Sequence, residues 1–113
     1  MNQEIKQKWI AALRSGEYKQ KRGRLRNGNG YCCLGLLCEL HRQETKEAEW
    51  INDEYVSGYE SEGDYLPSFV SQWAGLQNLI YPFNPRAGEN SLGVLNDKGY
   101  TFPEIADLIE KHL

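Results

Sequence analysis

The chain has 113 residues, 40% of them hydrophobic and 26% charged, with a formal charge of −3. Such a length and composition describe one folded domain; they exclude a disordered tract, a collagen, a solenoid and a large cofactor enzyme. The longest apolar run, Tyr31 to Cys38, is far shorter than the roughly 20 residues that cross a bilayer. No basic segment followed by an apolar stretch opens the chain, so no secretory leader is expected.

Asn2 to Ser15 reads as a helix, with Ile5, Trp9, Ala12 and Leu13 on one face and Gly16 at the position after its end. Arg24-Leu25-Arg26 alternates polar and apolar residues and runs through Asn27-Gly28-Asn29-Gly30 into Tyr31-Cys32-Cys33. Asn-Gly between such runs marks a β-hairpin, and two tandem Asn-Gly pairs leave its register open. Cys33 to Arg42 reads as a buried helix on the spacing of Leu34, Leu37, Cys38 and His41. Residues 43–65 are acidic and read as a loop with one short element, a strand near Tyr55-Val56. Leu66, Phe69, Val70 and Trp73 share one helical face, with Pro67 in the first turn and Gly75 past the end. Residues 77–90, with Pro82, Pro85 and Gly88, read as an irregular loop. Ser91 starts a short helix through Leu95 that Gly99 ends. Thr101 and Glu104 form a capping box for a last helix with Ile105, Leu108 and Ile109 buried. The fold expected is a small single α+β domain over residues 1–113, with four or five short helices and a basic β-hairpin.

The charge is unevenly placed. Residues 1–31 carry a balance of +6 and residues 32–113 a balance of −9, the acids concentrating between Glu44 and Asp64. The two stretches either pair across the fold or face solvent as separate patches. Arg24 and Arg26 share strand parity and project from one face, with Leu25 turned inward. Lys21 and Arg22 precede them; Gly28, Asn29 and Gly30 offer backbone N–H groups. Guanidinium forks beside open backbone donors suit phosphate oxygens. Tyr31 is the aromatic placed to stack a base beside them. The ligand site expected is Lys21, Arg22, Arg24, Arg26, Asn29, Gly30 and Tyr31. It requires that Arg24 and Arg26 be free of internal ion pairs and border a cavity.

Other chemistry finds no support. No Gly-Lys-Ser/Thr ends a phosphate loop, and a dinucleotide fingerprint would need glycine at Cys33. Cys32, Cys33 and Cys38 are an odd set with a vicinal pair; they read as reduced, buried thiols of a cytoplasmic protein. Cys38 and His41 lack a second ligand pair, so no metal is expected. Asn96-Asp97-Lys98-Gly99 fails as a calcium loop at three ligand positions and reads as a turn between helices. No nucleophile, base and orienting group can be named together, so a cofactor-free binding protein is expected rather than an enzyme. Trp9, Phe69, Trp73 and Phe102 are assigned to the core. Tyr18, Tyr31, Tyr55, Tyr59, Tyr65 and Tyr81 are assigned to the edges of the charged loops.

The run Leu25-Arg26…Tyr31-Cys32-Cys33-Leu34-Gly35-Leu36-Leu37-Cys38-Glu39-Leu40 resembles a group of small, mostly uncharacterised phage and prophage proteins. Trp9 with Ala11-Ala12-Leu13-Arg14-Ser15-Gly16 and Tyr18 is similar to that group. So is Leu92…Leu95-Asn96-Asp97-Lys98-Gly99 with Phe102, Glu104-Ile105-Ala106-Asp107 and Ile109-Glu110. The resemblance covers most of the chain except roughly 43–65 and 77–90, and it carries no catalytic residues. It implies a phage accessory protein in the bacterial cytoplasm, of the kind that counters host defence. The function expected is binding of a phosphate-bearing, nucleotide-like ligand, with sequestration of a defence signal as the purpose. Because a chain this short encloses a deep pocket poorly, a homo-oligomer is expected. The alternative is a protein-binding inhibitor acting on a host enzyme through the acidic segment 44–64, with Trp50 and the tyrosines as anchors. Nucleic-acid binding is disfavoured by the pI of about 5.4.

Overall fold

Asn2 starts the first helix: its side chain accepts the Ile5 N–H at 3.0 Å, and α1 runs Gln3–Arg14. The computed structural model describes residues 1–58, 60–76 and 92–113. Trp9 of α1 is fully buried and donates its indole N–H to the Cys33 carbonyl at 3.0 Å. That bond ties α1 to the start of α2, Cys33–Thr45. Along α2 every residue from Cys33 to Glu39 is buried, so the helix is the centre of the domain. α5, Phe102–His112, packs along α1, and Arg14 bridges to Asp107 at 2.7 Å and Glu110 at 3.0 Å. The Thr101–Glu104 capping box opens α5 as expected.

Two shorter helices close the core. α3, Ser68–Ala74, ends on Gly75 with φ of 73°, where the backbone of Met1 and Asn2 lies against it. Pro67 is the residue that caps α3 rather than one inside its first turn. α4 is Leu92–Asp97. Its expected cap Ser91, the segment 77–90, Tyr59 and Tyr81 lie outside the described residues.

The strands are short. β1 (Lys19–Gln20), β2 (Arg26–Asn27) and β3 (Gly30–Tyr31) form one sheet in the order β1-β3-β2. β2 and β3 pair antiparallel with Asn27 opposite Gly30, which fixes the register: Gly28-Asn29 is the two-residue loop. The φ of 65° at Gly28, the first central residue, is the backbone of a type II′ turn. β1 adds in parallel on the far edge of β3.

The acidic segment holds the strand expected near Tyr55-Val56 and, beyond that expectation, a partner strand for it. β4 (Glu49–Ile51) and β5 (Glu54–Val56) form a second hairpin, closed by Asn52 and Asp53 with φ of 51° and 64°. Positive φ at both central residues is the type I′ pattern that Asn and Asp tolerate. Tyr55, expected at a loop edge, is fully buried, while Phe69 and Trp73 are only partly buried. Among the described residues, no helix is long and apolar enough to cross a membrane.

Candidate functional site

The β2–β3 turn and the β4–β5 turn meet. The Gly28 N–H donates to Asp53 Oδ2 at 3.3 Å, and Arg26 Nε lies 4.0 Å from Asp53 Oδ1. The Arg26 guanidinium lies over two rings, 5.9 Å from the centroid of Tyr31 and 5.6 Å from that of Trp50. Its Nε is buried and makes no hydrogen bond among the described residues. A turn N–H and a ring-held guanidinium therefore converge on one carboxylate.

The expected constellation divides. Arg24 pairs with Asp64 at 3.3 Å, and Arg26 neighbours Asp53, so neither is a free cation. The basic and acidic stretches have closed on each other, because two charged turns brought within 4 Å lower each other's energy. Lys21 and Arg22 follow β1, on the opposite edge of the sheet from β2 and about 10 Å away at the usual strand spacing. The Lys21 carbonyl accepts from Asn96 at 2.7 Å, and the Arg22 guanidinium lies against Gly99 past the end of α4. Gly30 sits between Asn27 and Lys19 in the sheet. A side chain there would strike the Lys21 stem and come within 2.9 Å of the Lys19 carbonyl oxygen, so this glycine serves packing. Asn29 is exposed at the turn. Tyr31 is half-buried between Tyr18 and Trp50, with centroids 6.1 and 5.8 Å away. With Arg26 over its ring, Tyr18 edge-on and Trp50 tilted against it, Tyr31 is already engaged within the fold. Gly28, Asp53 and Trp50 complete the cluster. Sequence reasoning missed Asp53; the signal that could have found it is the Asn52-Asp53 turn pair between Trp50-Ile51 and Tyr55-Val56.

Behind this face stands a polar and aromatic support. Glu39, buried on α2, accepts from Arg42 at 2.8 and 2.6 Å, from Gln43 at 2.9 Å and from Trp50 Nε1 at 3.0 Å. Burial alone would raise its pKa, but those donors outweigh burial and hold the carboxyl below its ordinary value. The rings continue inward from Trp50 to Tyr55 (4.9 Å), and from Tyr55 to His41 (5.6 Å). Trp73 and Phe69 close around His41 at 5.0 and 5.5 Å. His41 Nδ1 and the Tyr55 hydroxyl are 2.6 Å apart. Burial lowers the His41 pKa, so the imidazole is neutral, and burial raises that of Tyr55.

The remaining chemistry is inert. All three cysteines are free and buried. Burial pushes Cys32 up to about 11 and drives Cys33 and Cys38 well above the ordinary thiol value. Such thiols are poor nucleophiles at neutral pH. Among the described residues, no group of three His, Cys, Asp or Glu side chains is placed to hold a metal ion. A surface depression of about 330 Å³ is lined by Glu60, Ser61, Glu62, Ser68 and Phe69, not by the arginines.

No curated protein and no solved structure matches the chain. One family model matches it from residue 1 to residue 113. The chain belongs to the family described as a domain of unknown function, DUF8296.

Proposed function

We propose that the protein is a non-enzymatic binder of a phosphate-bearing, nucleotide-like anion, acting as a phage accessory protein that sequesters a host defence signal. The observation that carries the anion is Asp53. A carboxylate is seated where the Gly28 N–H and the Arg26 guanidinium converge, which is the donor set a phosphoryl oxygen needs. The phage setting and the sequestering role rest on the resemblance alone. Because Tyr31 is already engaged by Arg26, Tyr18 and Trp50, the reading rests on the phosphoryl group rather than on a base. The condition set from the sequence is not met, because Arg24 and Arg26 are paired with Asp64 and Asp53 and do not line the depression; the reading therefore requires the ligand to displace Asp53 from the Gly28 N–H and Arg26.

The test is thermal stability of the full chain against inorganic phosphate, adenosine monophosphate and cyclic dinucleotides. A ligand at a hundred times its Kd stabilises by about 2.7 kcal/mol. The reading requires a saturable rise in Tm that Arg26→Gln removes. No rise with any phosphate-bearing compound refutes it.

A second reading is a protein-binding inhibitor using segment 44–64. Ile51 is 44% exposed in that segment and Tyr65, just after it, 69%; Glu47, Glu49 and Glu60 of the segment are not ion-paired among the described residues. Reversing those three charges abolishes capture of a host enzyme if this reading holds, whereas Arg26→Gln leaves it intact.

A further inference from the structure

We infer that Asp53 is a displaceable internal ligand: a phosphoryl group and the β4–β5 turn compete for the same donors at the β2–β3 turn. The inference rests on the anion-binding reading above and adds the control of that site.

The geometry of the contact carries it. Asp53 is tethered in a two-residue turn with φ of 64°, and its carboxylate reaches the cradle from one side. It meets the Gly28 N–H at 3.3 Å, beyond the roughly 2.7–2.9 Å of a good charge-assisted bond. It stops 4.0 Å short of Arg26 Nε, and that N–H is buried without a hydrogen-bond partner among the described residues. Buried donors are almost always satisfied, and one left unpaired is costly. A free phosphoryl group is not held back by a tether, and its tetrahedral oxygens span more donors than a carboxylate does. It accepts from the Gly28 N–H and Arg26 Nε together where Asp53 accepts from one.

The donors are also in place beforehand. The Arg26 guanidinium is fixed over Tyr31 and Trp50, so little side-chain freedom is lost when it takes a ligand. Trp50 is fixed in turn by its bond to Glu39 at 3.0 Å. Ligand entry therefore expels the Asp53 carboxylate and loosens the 52–53 turn, while the strand pair Trp50–Tyr55 stays anchored on the core. The result is a face whose acidic turn is docked without ligand and released with it.

The experiment is a titration of the full chain with inorganic phosphate at constant ionic strength, followed by amide NMR. Saturable movement of the Gly28 amide together with those of residues 52–54 supports displacement. Asp53→Asn keeps a residue that tolerates positive φ but removes the competing charge. It should bind phosphate about 1.5- to five-fold more tightly, the range expected for removing one partly exposed ion pair. Movement of Gly28 alone, with residues 52–54 still and Asp53→Asn no tighter, overturns displacement and leaves the anion-binding reading standing. No saturable movement at Gly28 in either protein overturns both. The wild-type titration decides the matter by itself should Asp53→Asn fail to fold. Adenosine monophosphate is the second probe: an equal constant assigns the contact to the phosphoryl group, and a tighter one to a nucleotide.

Discussion

Gly35→Ala sets two effects of opposite sign against each other. Helix propensity favours alanine over glycine within α2 by about 1 kcal/mol. Packing opposes it. A Cβ at residue 35 would overlap the Leu25 carbonyl oxygen and come within 2.5 Å of its carbonyl carbon, where ordinary contact begins at 3.4 Å. The first turn of α2 must then retreat by well over an ångström from backbone that cannot rotate aside. That retreat strains the Cys32 N–H bond to the Leu25 carbonyl at 3.1 Å and opens the packing around Leu25 and Leu36, both fully buried. Overpacking costs about 3 kcal/mol at the upper end, the lost hydrogen bond about 1, and propensity returns about 1. A net loss of about 3 kcal/mol lowers Tm by roughly 10–20 °C in a domain of this size. Thermal unfolding followed by circular dichroism measures it. A Gly35→Ala protein as stable as the wild type, or more so, refutes the close approach of α2 to the Leu25 backbone. That approach also sets where the β2–β3 turn points.

The other expectations concern the buried polar support. Tyr55→Phe leaves the His41 Nδ1 without its partner at 2.6 Å and should cost about 1–3 kcal/mol in urea unfolding; a loss under about 0.5 kcal/mol means the pair is not a bond. Burial lowers the His41 pKa, so the unfolded chain takes up a proton near pH 6.5 that the fold refuses. Stability is then flat above about pH 6.5 and falls below it. Glu39, held below its ordinary value, adds a second loss under about pH 4.5 as its carboxylate is protonated. An unchanged urea midpoint between about pH 7.5 and pH 5 contradicts the neutral buried imidazole. The native protein should resist an aromatic disulfide reagent at all three cysteines and react at all three in denaturant; rapid labelling of a native thiol contradicts their burial.

The helices were legible because their signals are local. Asn2, the Thr101–Glu104 box and Gly75 each mark an end through bonds or a φ value belonging to neighbouring residues. The strands were less so. β1 is two residues long and gains its place only by parallel pairing with β3, which no local pattern announces. β5 falls where Tyr55-Val56 reads as a strand, but its partner β4 is hidden by Glu49, whose charge resembles that of a loop, although Asn52-Asp53 is a legitimate turn pair. Tyr55 was misplaced because its hydroxyl is satisfied inside the core by His41, a partner two elements earlier. At the site, the arginines were readable as residue types but their partners were not. Whether Arg24 and Arg26 face solvent depends on where Asp64 and Asp53 fall, and only tertiary packing decides that. The same packing sent Lys21 and Arg22 to the other edge of the sheet.

The most direct measurement is a crystal structure of the full chain grown with arsenate, a phosphate analogue with a strong anomalous signal. The account predicts an arsenic peak with an oxygen in hydrogen-bond reach of both the Gly28 N–H and Arg26 Nε, and Asp53 turned away. Asp53 still seated on Gly28, with no anomalous peak beside Arg26, contradicts it.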